Sequence, residues 1–428
     1  MGVDPGAGAA DHGRRERIDG RRGVDHDGQD ARKVKRPAEP GSPPGAQDTC
    51  PVVRAGDGTW RVRGHAQARA VLRSDATVQA GLGIETVEKL PARIRRPVLY
   101  RDGPEHREDR RQTARYFTPR RVDEHYRELM ARVADAQLAR LRAAGRAPLG
   151  ELSFGMAIEV ASAIIGLTAG RPGLRGRLER FFPEKYGRPG LTSLTGLYWL
   201  VRQNVNWARI YLADVRPAIR DHRRERRDDL ITHLLDQGCT AAEILGECLT
   251  FAAAGMVTTR EFICVAAWHL FGDEALLARY RAADEPGRLA VLHEILRLEP
   301  VVARLRRRTT AALELDGGDG PVTLPPGAVV EVLVDAANTD PGAVGANPLS
   351  VCPGRTIDGG AGPAGLSFGD GAHKCPGSGV AILETDVFLT RLFAMEGVRM
   401  ARAPRVTFDN DIGGYEIRDL IVTTAPDP

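Results

Sequence analysis

A mainly α-helical chain is predicted by three features of this sequence. Successive amphipathic patterns fill residues 121 to 236, one helical periodicity runs from Thr240 to Phe271, and another follows Cys375 to about Phe393. Strand-like patterns are short, as at Val52 to Arg63 and at Leu313-Glu314-Leu315. The 428 residues are 42% hydrophobic and 27% charged, the balance of a water-soluble globular protein. A net charge of +4 makes no case for nucleic-acid binding. The six cysteines, at 50, 239, 248, 264, 352 and 375, lack paired spacings and read as free thiols of a reducing cytoplasm. With no run of eighteen apolar residues and no charged-then-apolar leader, no membrane association is expected.

Residues 1 to 47 are Gly, Asp, Arg, Lys and Pro in mixed order. Such a stretch cannot bury enough apolar surface to offset its ordering entropy, so a disordered tail is expected, followed by a single domain over 48–428. Gly56-Asp57-Gly58 suggests the turn of a hairpin carrying Trp60 and Val62, and 65–73 reads as a short amphipathic helix. Residues 79 to 100 are irregular. Gly103-Pro104-Glu105 opens a helix on which His106 and Arg110, four residues apart, share a face. Taken alone, that face reads as a solvated one. Breaks fall at Gly170-Arg171-Pro172-Gly173 and Arg188-Pro189-Gly190, and the basic run 220–227 reads as a solvated helix face.

Thr240-Ala241-Ala242-Glu243 is a capping box, the Thr accepting from the first-turn N–H groups and the Glu reciprocating. The helix it starts is about 31 residues long, against the ~11–12 of an average helix. Its middle is Ala252-Ala253-Ala254-Gly255-Met256-Val257-Thr258-Thr259. A mid-helix Gly costs about 1 kcal/mol relative to Ala, so this small-residue stretch implies either a close helix crossing or a large flat body lying against the face.

Leu366-Ser367-Phe368-Gly369-Asp370-Gly371-Ala372-His373-Lys374-Cys375-Pro376-Gly377 is the stretch richest in chemistry. Glycines at 369 and 371 permit turns that a Cβ forbids. A Cys just before a helix start has its thiolate favoured by the helix dipole and nearby N–H groups. A zinc half-site at His373-x-Cys375 would need two further ligands, and Cys352 is the only nearby candidate. The string resembles the haem-binding loop of the cytochrome P-450 family, F-G-x-G-x-H-x-C-x-G, at every fixed position.

That resemblance covers about residues 50 to 425 and implies the rest of the expectations. The fold would be a large helical domain with a small β-rich subdomain, and haem b (iron protoporphyrin IX) would lie between the long distal helix and the Cys loop. Cys375 would be the axial ligand of the haem iron, with Phe368 and Gly369 beside the sulfur. His373, His106 and Arg110 would reach the propionates, together with one Arg of Arg304-Leu305-Arg306-Arg307-Arg308. Alignment by Leu313-Glu314-Leu315 favours Arg307, and counting from Pro300 favours Arg306; Arg307 is the choice.

In the distal-helix pattern A/G-G-x-D/E-T, Ala254, Gly255 and Thr258 match, while Val257 replaces the acid. The Thr258 hydroxyl would meet dioxygen, the co-substrate. The proton relay lacks its usual member, leaving Thr259, Glu261 or the substrate to serve. Glu294, Arg297 and Arg355 would form the structural E-x-x-R triad. The substrate pocket would be lined by Leu82, Ile84, Met256, Val257, Val301, Val302 and Ile412. Without an N-terminal anchor, the chain resembles the soluble, cytoplasmic bacterial members. It is expected to be a monooxygenase that hydroxylates or epoxidises a small organic molecule, as a tailoring step on a secondary metabolite. Electrons would come from ferredoxin and ferredoxin reductase, and the basic Lys374, Arg111 and Arg115 would receive the acidic ferredoxin. Two rival readings are oxidative coupling or ring closure without net oxygen insertion, and a degenerate, non-enzymatic recruitment domain.

Overall fold

The capping box closes as the sequence requires: Thr240 Oγ1 accepts from Glu243 N, and Glu243 Oε2 accepts from Thr240 N at 2.7 Å. From there the central helix runs over Ala241–Phe271. The computed structural model describes residues 30–36, 50–81, 83–88, 94–181, 193–409 and 412–424. By length and hydropathy the central helix could cross a membrane, but it is the axis of the fold. Its second half, Phe262 to Leu270, is buried against helices Arg127–Ala144, Leu149–Ile165, Glu285–Leu298 and Ser378–Phe393, which share one apolar cluster. Its first half, with Ile244, Leu245, Cys248 and Leu249, packs in a second cluster with Ile210, Val215, Ile219 and Ile231.

The β-rich part is small. Five strands lie in the order Val52–Arg54, Trp60–Val62, Val329–Leu333, Arg304–Thr309 and Thr77–Ala80. The expected hairpin pairs Val52 with Val62, and the expected helix spans His65–Arg73. Helix Leu149–Ile165 stops at Gly166 (φ 98°), a left-handed position that a glycine takes without Cβ strain. Ser193 caps the helix Leu194–Ile210, accepting from Gly196 N at 3.0 Å; the break expected at 188–190 lies outside the described residues.

One expectation fails. Residues 30–36, placed in a disordered tail by composition, pack on the domain. Val34 is 2% exposed within the main cluster, Ala31 N donates to Leu349 O at 3.0 Å, and Val34 N donates to Glu299 Oε1 at 3.2 Å. One apolar side chain and a buried carboxylate with accepting capacity suffice to seat the segment. A composition average over 47 residues hides such a contact.

Candidate active site

The Cys loop is built by its own backbone. Gly369 N donates to Leu366 O and Cys375 N to Phe368 O, each at 2.8 Å, folding the loop back on itself. Gly371 has φ 67°, and a Cβ there would lie 2.3 Å from Leu72 O, so only glycine lets the loop rest on the helix His65–Arg73. Asp370 fixes that contact by accepting from Arg69 Nε at 2.8 Å. The helix Ser378–Phe393 begins three residues after Cys375. Burial pushes the Cys375 thiol up, opposed by the Gly377 N–H and the Arg110 charge. Burial therefore opposes the dipole argument made from sequence, and a bound metal would favour the ionised sulfur.

The central helix departs from α geometry at the stretch of small residues. Ala253–Val257 is a π turn, and Thr258 Oγ1 donates to Ala254 O at 2.6 Å. Such bulges within α-helices recur at functional sites. Ala254 is exposed and Gly255, Val257 and Thr258 are half-buried, in a helix whose following turns are sealed. The nearest atom to a Cβ added at Gly255 is Ala161 Cβ, at 3.8 Å. That is ordinary van der Waals contact with the neighbouring helix Leu149–Ile165, so Gly255 sits at a helix packing and it is the exposed Ala254 that leaves its face open.

Beneath the loop, Arg297 forks onto Glu294 with two 2.8 Å bonds, and Arg355 Nε adds a third at 3.1 Å. The triad is brought together as expected, and it does more than cross-link. Arg297 Nη1 donates to Asn338 O at 2.7 Å, while Asn338 Oδ1 accepts from Leu366 N and its Nδ2 donates to Ser367 Oγ at 2.8 Å. Asn338 therefore carries the triad's rigidity to the start of the Cys loop, a role the sequence did not reveal.

At the loop's far edge the His106 and His373 rings stack at 4.1 Å. His373 Nε2 lies 2.9 Å from Asp102 Oδ1, and Gln79 N donates to Asp102 Oδ2 at 3.1 Å. Burial alone would raise the pKa of Asp102, yet His373 and the Gln79 N–H hold it below the usual carboxylate range. Burial, joined by the charges of His373 and Arg110, pushes His106 down to about 4, and its Nδ1 has no partner. Arg110 donates to Lys374 O.

Residues 289–395 match the family profile described as Cytochrome P450. The chain is 29% identical over 382 residues to erythromycin C-12 hydroxylase of Saccharopolyspora erythraea, covering 84% of this chain and 86% of that one. It is 29% identical over 365 residues to pentalenic acid synthase of Streptomyces avermitilis, covering 81% and 83%. The crystal structure of CalO2 superposes with a TM-score of 0.73 at 25% identity, over 88% of this chain and 93% of that one. The chain is similar to cytochrome P450 proteins over most of its length. It is an oxidoreductase of the monooxygenase class.

The residues present fit a P450 haem. Arg307 is 4% exposed, and no carboxylate among the described residues pairs with it; it donates to Gln79 Oε1 at 2.6 Å. Burial lowers it to about 10, against the pull of Asp102. A buried cation short of an anion and a buried imidazole with an orphaned nitrogen are two donors that the propionates of a haem would satisfy. Arg306 is already paired with Glu331 at 3.0 Å, whereas Arg307 has no carboxylate partner among the described residues. Arg307→Met should therefore speed haem loss to an acceptor globin by about tenfold or more, and Arg306→Met should change it little. That difference can be read from Soret absorbance during haem transfer.

The expected pocket residues divide. Val257, Val302 and Ile412 are half-buried. Met256 is a correction: at 1% exposure it sits in the second core cluster, because its position on the helix points it to the neighbouring helices. Val301 likewise turns into the main cluster, and Ile84 is buried. Leu82 lies outside the described residues. Thr259 is 4% exposed, one helical position round from the half-buried Thr258. Glu261 is no relay: its carboxylate accepts from Ile417 N at 2.6 Å and from Arg418 Nη1 at 2.9 Å, and also binds Arg260.

Proposed function

We propose that this chain is a P450 that oxygenates a small organic molecule held between the central helix and the Cys loop, with haem b bound through Cys375. The single observation that carries the reading is Cys375, presented by a backbone-braced loop three residues before the helix Ser378–Phe393. Haem held there would supply the redox chemistry, activating dioxygen with two external electrons and two protons so that one oxygen atom enters the substrate and the other leaves as water. The chain's part is to hold and shield. Cys375 would bind the iron, His106, His373, Arg110 and Arg307 would orient the propionates, and Phe368 would cover the sulfur. Ala254, exposed on the central helix, would keep the facing surface low. Thr258 presents a hydroxyl whose proton is held by Ala254 O, so it could accept from a water and pass a proton on by rotating away from that carbonyl.

The substrate would approach past Val257, Val302 and Ile412. The named relatives, a hydroxylase of erythromycin and a synthase of pentalenic acid, support a secondary-metabolite substrate. Electron delivery by a ferredoxin and its reductase is supported by the exposed Lys374, Arg111 and Arg115 near the loop, and such steering would weaken with added salt.

A second reading, oxidative coupling or ring closure without oxygen insertion, is favoured by Val257 in the acid's place and by Glu261 being committed elsewhere. The test is turnover under isotopically labelled dioxygen, with a substrate found by its shift of the ferric spin state. Label in the product supports oxygenation; loss of hydrogens with no label supports coupling. If proton delivery limits the oxygenation, Val257→Asp should raise the product-to-peroxide ratio by about tenfold, the usual scale of a positioned proton donor being 10²–10⁴. An unchanged ratio would mean that protons already arrive through Thr258 and the substrate.

A further inference from the structure

The segment 30–36 ends at two turns, one just before Val302 and one just after Ile412. Arg36 donates through Nη2 to Pro300 O at 2.6 Å and through Nη1 to Gly413 O. Its Nε lies 3.4 Å from Asp335 Oδ2, and the guanidinium sits 5.5 Å from the centre of the Tyr415 ring. The base of the segment is anchored as well. Val34 is buried, and Glu299 Oε1 accepts from Val34 N while also binding His269 Nε2 at 3.0 Å. Tyr415 in turn donates to Glu299 O at 3.0 Å, so anchor, aromatic platform and guanidinium form one unit.

The turns that Arg36 joins are those carrying Val302 and Ile412, and they already touch. Arg304 N donates to Ile412 O at 2.9 Å, and a Cβ at Gly414 would lie 3.2 Å from Val301 O. Two loops that meet, among the described residues, by one backbone hydrogen bond can slide or part. A planar guanidinium bonded to a carbonyl on each fixes both their spacing and their relative tilt, because its donors form a rigid fork. A point charge on a flexible stem would not. The carbonyl oxygens gain partners, and the fork's third edge is neutralised by Asp335.

We propose that Arg36 is a positioning residue that determines substrate specificity, by setting the separation of the Pro300 and Gly413 turns and so the width of the substrate side of the pocket. This rests on the haem-site reading above. The test uses the full, haem-loaded chain and two probes that bind haem iron, imidazole and the bulkier 4-phenylimidazole, each titrated by its Soret shift against wild type, Arg36→Ala and Arg36→Lys.

The expected result is that imidazole affinity stays within about twofold. The 4-phenylimidazole affinity of Arg36→Ala should change by about fivefold or more, and Arg36→Lys should not restore it. An unchanged ratio of the two affinities, even with a lowered melting temperature, would make Arg36 a structural anchor only and overturn the proposal. If Arg36→Ala does not fold, the ratio in Arg36→Lys decides. Failure of imidazole to shift the wild-type spectrum would instead strike the haem-site reading itself.

Discussion

Cys375→Ala is expected to abolish the thiolate-type absorption band of the reduced, carbon-monoxide-treated protein and to take oxygenation to background. No other sulfur can substitute. Cys248 and Cys264 are fully enclosed in helical cores, where burial pushes both thiols well up, that of Cys264 to about 12. Cys352 is exposed on the segment where its backbone N–H meets Glu294, and Cys239 bonds Arg95. The loop itself should survive the change, because its folding-back bonds are backbone bonds from Gly369 and Cys375 and involve no Sγ. The variant therefore separates ligation from folding: circular dichroism and melting should stay near wild type while the band disappears. An intact band in a folded Cys375→Ala protein would overturn the ligand assignment and, with it, the proposed chemistry.

The features visible in the sequence are those that local chemistry fixes. The capping box, the hairpin at Gly56-Asp57-Gly58 and the helix 65–73 each depend on residues within a few positions, and each forms as read. The stretch of small residues at 252–259 signalled an unusual helix face, and the π turn with its exposed Ala254 shows the physical reason. The triad was legible from spacing and resemblance together, since Glu294 and Arg297 are one turn apart.

What was not legible depends on long-range geometry. Asp102 carried no signal of its own in the sequence, yet its carboxylate meets His373, 271 positions away. Asn338 carries no signature of its own; its importance arises because its backbone faces Arg297 while its side chain faces Leu366 and Ser367. Glu261 was a plausible proton source by its closeness in sequence to Thr258, yet three positions further along a helix is enough to turn it towards Arg418. Met256 erred in the same way. The segment 30–36 was misjudged because disorder was inferred from average composition, and one buried valine with one buried acceptor outweighs that average locally.

Arg297→Met should be the most damaging substitution to the fold. Arg297 is wholly buried, and its guanidinium makes four hydrogen bonds, two to Glu294 and one each to Asn338 O and Ser350 O. Replacing it leaves the Glu294 carboxylate, itself 2% exposed, with only Arg355 and the Cys352 N–H as partners. Breaking a buried pair from one side costs about 3–5 kcal/mol, a large share of the ~5–15 kcal/mol by which a domain is stable. The loss should propagate through Asn338 to Leu366 and Ser367, so haem retention should fall together with the melting temperature. Arg355→Lys keeps a cation near Glu294 and should cost much less.

The decisive comparison is the double variant Glu294→Leu, Arg297→Met. Removing both charges eliminates the unpaired carboxylate, so stability should recover in part over Arg297→Met, as measured by thermal or denaturant unfolding. Haem retention should not recover with it, because the bond from Arg297 to Asn338 O that holds the Cys loop in register is still missing. Parallel recovery of stability and haem binding would show that the triad acts on the site only through global stability, and that Asn338 transmits nothing of its own.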